Sequence, residues 1–383
     1  MDNLFKSIIT SNQFTICLND FYPYLNTLRR FIKRKPLKPN ILRRETLETN
    51  QQSSYCFVMI VSPEFDQSIP NASTTARLGW CHGFEELGIP FYITSITELD
   101  KCLPLLHQPV CWLTEADYRY LTTKNMRVLK RFPHIVWVNS WFSKEERYYK
   151  LNAIPRLSSP GWVRKRVLES EPSFVFTISP VRSFEFYDQW TNQGLQLYSL
   201  PLAWDNTTYP DNPSIDPEFM NVEIAFVGGY WKYKAKQLDR YLKPYAARLT
   251  VFGYSRWPYG NYGGLLSILR EGSLYRQAKV SPVINEPHVA MMGIDQNERV
   301  FKVLGSGGFA VTDVVEGYRE WFSEDELIVP KDINQFHDMI NLAIDNPEFS
   351  SGYRKRGQKA VLERHKYSHR ARRVLEILNL KLE

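Results

Sequence analysis

The residues best suited to chemistry lie between Asn285 and Asp313, where polar and glycine residues flank a short amphipathic segment. We predict a loop that ends at Asp295, which caps a helix running to Leu304. Backbone amides at the start of a helix, together with the positive end of its dipole, favour anions such as a diphosphate. The segment therefore predicts an anion-binding site.

Other candidates follow predicted strands, because open parallel sheets bind ligands at the carboxyl ends of their strands. Gly228 and Gly229 follow one strand and allow the backbone to approach a ligand closely, although a plain turn is an alternative explanation. Gly253 follows the next strand, and His288 follows the third. These positions predict that one sheet edge contributes several loops to a single site.

The elements that position these residues alternate between strands and helices. The run from Tyr55 to Val61 is continuously apolar, as expected for a strand buried on both faces of a parallel sheet. Further strands are predicted at 90–96, 110–113, 134–139, 174–179, 195–200, 223–228, 249–253, 280–284, 309–312 and 327–329. This alternation predicts an α/β fold with parallel pairing.

A polar, proline-rich stretch from Asn206 to Asn221 separates two such halves. We predict four segments, namely a basic helical extension (1–52), an N-terminal Rossmann-like domain (53–210), a C-terminal Rossmann-like domain (222–365) and a last helix (366–383) that packs back on the first domain. The 383 residues suit two domains of ordinary size.

Composition restricts the functional class. The net charge is +7, and basic residues concentrate near both ends, which suits anionic lipid, nucleic acid or an anionic acceptor, or a merely solvated surface. No apolar run is long enough to span a membrane, and the first residues do not resemble a signal peptide. Five cysteines without a C-x-x-C pair favour a reducing cytosol and argue against structural zinc.

The second half resembles a known family. The run Asn297-x-Arg299-x-Phe301, followed by Gly305-x-Gly307-Gly308-Phe309 and Thr312-Asp313, is similar to the donor-binding motif of CgeB-like (spore-maturation) glycosyltransferases. Ala225 to Gly229, Val251 to Gly253 and His365-x-Tyr367-x-x-Arg370 fit the same pattern, so the resemblance covers about residues 222–375.

The resemblance implies a GT-B fold, with two Rossmann-like domains facing across a cleft and C-terminal helices. It implies transfer of a sugar from a nucleotide-sugar donor, a UDP- or GDP-sugar, without a cofactor. Related enzymes place a cation against the leaving phosphates, which points to Lys232, Lys234 or Lys236. The complete predicted donor-binding set is Gly228, Gly229, Lys236, Gly253, Asn285, Asn297, Glu298, Arg299, Lys302, Gly307 and Gly308.

Lys302 departs from the family pattern, which carries Glu directly after the motif Phe, where it holds the donor ribose hydroxyls. Glu298 lies four residues earlier, so an ordinary surface ion pair is one interpretation. A cation that reaches a donor phosphate or carboxylate is the other.

The predicted catalytic residues are His288, Asp66 and His82. His288 follows a strand end near the predicted anion site, whereas Asp66 and His82 lie on the presumed acceptor side. An inverting enzyme would draw its catalytic base from the acceptor side, and a retaining enzyme would not need one. No Asp-x-Asp or ligand-spaced His/Cys cluster occurs, so we expect no metal.

Three functions remain open at this point: a glycosyltransferase acting on a glycan, lipid or small molecule, a degenerate binding or scaffold protein, and a transferase with a nucleic-acid acceptor. We expect a cytoplasmic protein without firm indication of nucleic-acid binding. Its basic N-terminal helix, predicted from Asp20 to about Lys35, is compatible with peripheral contact at the anionic inner face of a membrane and equally with packing against the protein's own body.

Overall fold

The structure is a computed structural model that describes residues 41–43, 54–63, 65, 72–138, 161–293 and 295–382. The predicted N-terminal helix and the candidate Asp66 lie outside these residues. Within the described residues, no helix is both long and apolar enough to cross a membrane.

Among its described residues, the first domain contains seven strands and five α-helices. The strands are β1 (Ile41–Arg43), β2 (Cys56–Val61), β3 (Phe91–Ser95), β4 (Pro109–Thr114), β5 (His134–Trp137), β6 (Phe174–Thr177) and β7 (Leu197–Ser199). The helices are α1 (Ala72–Glu86), α2 (Leu99–Cys102), α3 (Thr123–Leu129), α4 (Gly161–Ser170) and α5 (Asp188–Thr191).

These strands form one sheet in the order β1-β3-β2-β4-β5-β6-β7. All neighbours from β3 to β7 pair in parallel, and every residue of β2 is buried, as its continuous apolar run predicts. The edge strand β1 pairs antiparallel with β3, with Ile41 opposite Thr94. Part of the predicted extension therefore belongs to the first sheet, which the sequence did not indicate.

The described residues after 220 contain five strands and the other seven α-helices. The strands are β8 (Ile224–Val227), β9 (Leu249–Phe252), β10 (Asn261–Tyr262), β11 (Ser281–Val283) and β12 (Ala310–Thr312). The helices are α6 (Lys232–Leu242), α7 (Ile268–Gln277), α8 (Pro287–Met292), α9 (Glu298–Gly305), α10 (Ile333–Asp345), α11 (Pro347–Arg364) and α12 (Tyr367–Ile377).

Parallel pairing joins β10-β9-β8 and β11-β12, and a bridge between Ile224 and Val280 links the two groups. The resulting order β10-β9-β8-β11-β12 reverses at β8, which is the position where open α/β sheets bind ligands. The predicted strand at 327–329 is wrong: only Ile328 forms an isolated bridge, with Val311. The short strand β10 was not predicted.

The last helix, α12, packs against α1 of the first domain. A Cβ atom on Gly79 would lie 2.2 Å from the Tyr367 ring, and one on Gly83 would lie 2.5 Å from the Tyr367 backbone. Only glycine permits this close helix approach. The backbone of Trp204 makes two hydrogen bonds at the start of α12. The Trp204 N–H donates to His365 O, and the Trp204 carbonyl accepts from the Tyr367 N–H.

Candidate active site

A cleft opens at the carboxyl ends of β8 and β9, where Gly228, Gly229, Gly253 and Tyr254 form part of its wall. The first domain contributes Ala72, the first residue of α1. Gly228, Gly229 and Gly253 therefore meet at one sheet edge, as predicted.

Two of these glycines are required by close packing rather than by unusual backbone angles. A Cβ atom on Gly253 would lie 2.3 Å from the carbonyl oxygen of Gly228, and one on Gly228 would lie 2.9 Å from Nη2 of Arg299. The Trp257 indole donates a 2.9 Å hydrogen bond to the same Gly228 carbonyl and so holds this turn in place. The wall is consequently a rigid, narrow backbone surface.

Arg299 is fixed against the end of β8. Its Nε and Nη2 atoms donate hydrogen bonds of 3.1 and 2.6 Å to Val227 O, and its guanidinium lies 4.2 Å from the centroid of the Phe226 ring. Among the described residues, no carboxylate lies within ion-pair distance of it. Arg299 therefore brings an uncompensated positive charge to the wall of the cleft.

The helix cap differs from the prediction. Asn297, not Asp295, caps α9, and its side chain accepts a 3.0 Å hydrogen bond from Arg299 N–H. The N–H of Asn297 donates to the Tyr318 hydroxyl, and Val300 N–H donates to Asn297 O. These three amides at the helix start therefore already have partners within the protein, contrary to the expectation of free amides there.

Lys234, rather than the predicted Lys236, supplies a second cation from α6. Lys234 is buried in the cleft wall, where its Nζ donates 2.7 Å to Ile284 O and 3.2 Å to Oε1 of Glu286. Lys236 is exposed and does not line the cleft. Burial, opposed by Glu286 and reinforced by Arg299, lowers the pKa of Lys234.

Lys302 also lines the cleft, within a buried network. Its Nζ lies 3.0 Å from Oε2 of Glu298 and 3.3 Å from the hydroxyl of Thr75 in the first domain. The i,i+4 ion pair with Glu298 is present. It is not on the surface, as one interpretation of the sequence held, because side-chain exposure is only 10% for Lys302 and 3% for Glu298.

Glu271 of α7 is the other carboxylate beside Lys302, with Oε2 4.0 Å from Nζ. Burial alone would lower the pKa of Lys302, but Glu271 and Glu298 outweigh it, and the pKa is raised. Lys302 is therefore protonated at neutral pH and is held by two carboxylates.

Besides Lys236, three predicted donor-binding residues lie away from the cleft wall, namely Asn285, Gly307 and Gly308. Gly307, with φ of +75°, terminates α9, and Gly308 N–H donates back to Val303 O in the same helix ending. Asn285 is buried and hydrogen bonds through its backbone and side-chain nitrogens to Asp313. These residues shape the loops around α9.

None of the predicted catalytic residues lines the cleft within the described part of the chain. His288 is 1% exposed, and burial, then Lys234, lower its pKa to about 3. His82 is partly buried, and its Nδ1 lies 2.8 Å from Asp205 Oδ2. Asp66 is not among the described residues. His288 and His82 thus occupy structural settings.

Several cleft residues were not singled out from the sequence. They are Ala72, Trp231, Tyr254, Leu265, Leu266, Glu271 and Glu286. Glu271 shares the buried face of α7 with Leu274 and Tyr275, three and four residues later. A carboxylate at this spacing was a readable sign of burial. Searching the described residues for three or more His, Cys, Asp or Glu that could hold a metal ion finds no such group.

Comparisons with known proteins agree with this architecture. Residues 234–376 match the family described as glycosyl transferase-like. A search of curated proteins finds no match.

Solved structures resemble the chain over most of its length. They include HepE of Anabaena in complex with UDP and glucose (TM-score 0.53, 10% identity, 85% of this chain and 100% of that chain). BGT of T4 phage in complex with its UDP-glucose substrate gives 0.55 and 9%, with the same coverage. The trehalose-6-phosphate synthase OtsA gives 0.58 and 9%, covering 85% and 99%.

At such identities the structural likeness establishes the fold, which is GT-B, as predicted. Together with the match over the second domain, it indicates a glycosyltransferase. The narrower relationship to CgeB-like enzymes stays a prediction.

Proposed function

We propose that the protein transfers a sugar from a UDP-sugar donor to a hydroxyl-bearing acceptor and releases UDP. In this reaction the bond between the anomeric carbon and the β-phosphate oxygen breaks, and a bond from that carbon to the acceptor oxygen forms. The acceptor proton leaves to a base, and the negative charge of the broken bond stays on UDP.

The observation that carries the proposal is the uncompensated charge of Arg299 at the carboxyl ends of β8 and β9. Lys234 and Lys302 line the same cleft as Arg299, and charge repulsion from Arg299 acts to lower the pKa of each, although the two neighbouring carboxylates keep the pKa of Lys302 raised. A diphosphate would relieve that repulsion, and its developing charge would be stabilised by groups already in place.

The choice of UDP rests on structural relatives. HepE is described in complex with UDP and glucose, and BGT of T4 phage with UDP-glucose. A similar structure is described as a DNA modifying enzyme, so the fold alone does not determine the acceptor. We keep glycans, lipids, small molecules and nucleic acid as acceptor classes for the test.

We also propose that transfer proceeds without a metal ion, because Arg299 and Lys234 supply the positive charge that the departing diphosphate requires. We do not assign the base or the stereochemical outcome to a residue. The CgeB-like relationship and a peripheral membrane contact through the basic N-terminal segment are further proposals that await the acceptor.

The test is incubation of the full chain with a panel of UDP- and GDP-sugars, with and without EDTA, while free nucleotide and transferred sugar are measured. We expect UDP release that persists in EDTA and increases with the correct acceptor. Loss of turnover in EDTA that Mn²⁺ restores would contradict metal independence. Absence of both nucleotide binding and release would favour the alternative of a catalytically inactive scaffold.

A further inference from the structure

Exposed apolar side chains concentrate on one side of the second domain. Among the described residues, ten large apolar side chains are exposed, and six of them make up a group that we call the apolar band: Ile215, Met220, Trp231, Tyr254, Leu265 and Leu269. Single apolar side chains are normal on a protein surface, whereas a group of neighbouring ones marks an interaction site.

The band follows one rim of the cleft. Three of its members line the cleft, namely Trp231, Tyr254 and Leu265. Leu269 lies close behind them on α7. The next residue, Arg270, forms ion pairs of 2.8 Å with Asp216 and 2.5 Å with Glu218, and so holds the segment 215–220 against α7. This segment carries the other two members of the band.

A ligand in the cleft would not cover the whole band. Ile215, Met220 and Leu269 do not line the cleft, and they are 61%, 66% and 75% exposed. A bound donor would leave these three side chains in water, so a second interaction is needed to cover them.

The charge around the band is positive. Lys232 and Lys236 lie one turn apart on α6, directly after Trp231, and Arg256 lies on the loop after β9. All three are exposed, and within the described part of the chain none of them forms an ion pair. The carboxylates that lie beside the band, in contrast, are already paired with Arg270.

From this combination we infer that the apolar band is a docking surface for an anionic membrane. Its aromatic and aliphatic side chains would enter the headgroup region, and Lys232, Lys236 and Arg256 would face the lipid phosphates. Tryptophan and tyrosine beside leucine, with lysine and arginine at the edge, form the pattern that proteins present to a bilayer interface.

A second copy of the chain fits the same surface poorly. In a twofold dimer the band would meet itself, and the three unpaired cations of each copy would face those of the other. Lysine is also depleted from protein–protein interfaces. An anionic bilayer satisfies both the apolar and the charged parts of the surface.

Docking would hold the rim of the cleft at the bilayer. Of the acceptor classes kept above, it therefore favours a hydroxyl carried by a lipid. This consequence rests on the proposed function, whereas the docking surface itself does not.

The experiment is co-sedimentation of the full chain with vesicles of equal parts phosphatidylcholine and phosphatidylglycerol, and with vesicles of phosphatidylcholine alone. We expect binding to the anionic vesicles that weakens with added salt, and binding to the neutral vesicles that is weaker by roughly tenfold or more. Lys236→Gln combined with Arg256→Gln should remove most of this preference for anionic vesicles.

A second pair of substitutions tests the apolar part. Leu269→Ser combined with Met220→Ser should weaken binding to anionic vesicles by roughly tenfold, because two side chains lose their transfer out of water. The matched control is Leu105→Ser combined with Val181→Ser, which removes two side chains of the first domain that are 80% and 62% exposed. The control should stay within twofold of wild type. Thermal melting and titration with UDP should be the same for wild type and both variants.

The possible results separate the claims. Undiminished vesicle binding after Leu269→Ser with Met220→Ser would place the membrane contact elsewhere in the chain and overturn the inference. Equal binding to neutral and anionic vesicles, or no vesicle binding at all, would overturn it too, as would a dimer that this variant dissociates. A wild type that binds vesicles but no UDP would contradict the proposed function and leave the docking surface intact.

Discussion

The hydroxyl of Thr75, on α1 of the first domain, donates a 2.5 Å hydrogen bond to Oε2 of Glu298 on α9, a residue that lines the cleft. The same hydroxyl accepts a 3.3 Å bond from Lys302. One side chain of the first domain therefore contacts both members of a buried ion pair in the second. This contact therefore joins α9, and with it the wall of the cleft, to α1 of the first domain.

Thr75→Val keeps the shape of the side chain and removes the hydroxyl, so it tests this contact. We expect the free energy of unfolding in urea to fall by about 1.5–3 kcal/mol, the usual contribution of a hydrogen bond to a charged group. Thr75→Ser retains the hydroxyl and should lose less than about 1 kcal/mol. Equal losses in the two variants would mean that the methyl group, not the hydrogen bond, matters.

Lys302→Glu restores the residue that the family resemblance implies, but here it would place a third carboxylate beside Glu271 and Glu298. Breaking a buried ion pair typically costs about 3–5 kcal/mol, so we expect a marked loss of stability together with loss of UDP binding. Lys359→Glu is the control, because it breaks an exposed i,i+4 ion pair with Glu363. It should lower the free energy of unfolding by only roughly a few tenths of a kcal/mol. Binding acquired by Lys302→Glu from a wild type that binds nothing would instead favour the scaffold alternative.

Lys234→Met and Lys236→Met compare two lysines of one helix. Lys234 is in the cleft wall and Lys236 is exposed, so only the first substitution should weaken UDP binding, by roughly tenfold. Lys236→Met should stay within twofold of wild type. Equal effects of both substitutions on the calorimetric Kd would contradict the assignment of Lys234.

Acid should destabilise the protein through buried histidines. Burial lowers the pKa of His134 to about 4, and burial with neighbouring cations lowers those of His288 and His365 to about 3. Below pH about 6.5 the unfolded chain binds protons that the folded chain does not, so stability falls as pH decreases. Each histidine contributes about 1.4 kcal/mol per pH unit in that range.

Urea unfolding between pH 7 and pH 5 checks this slope. His134→Gln should reduce it, whereas the same change at the exposed His107 should leave it unaltered. A slope that does not change in His134→Gln would show that His134 is not among the groups responsible.

The fold could be predicted because its strands are continuous apolar runs separated by amphipathic helices, and both features are local. The choice between Lys234 and Lys236 was also readable, since Lys234 shares the spacing i, i+4, i+7 and i+8 with the buried Leu238, Tyr241 and Leu242. Selecting Lys236 was therefore an error of helical phase. The helix cap was misplaced by two residues for a similar local reason, since both Asp295 and Asn297 are favoured cap residues.

The environment of Lys302 could not be predicted in this way. Its partners Thr75 and Glu271 lie 227 and 31 positions away in the chain, and only tertiary packing brings them together. From the sequence alone, the pair with Glu298 looks exposed. The residues that bury it belong to another helix and to the other domain, so the sequence around Lys302 carries no sign of them.

The central claim is that Arg299 forms the core of a donor diphosphate site, and calorimetric titration of UDP into wild type and Arg299→Ala tests it most directly. We expect wild type to bind and Arg299→Ala to bind at least tenfold more weakly, because a charge-assisted contact is lost. Thermal melting of the same samples checks that the variant is folded. Equal affinities in a folded variant, or a wild type that binds no UDP, would contradict the account.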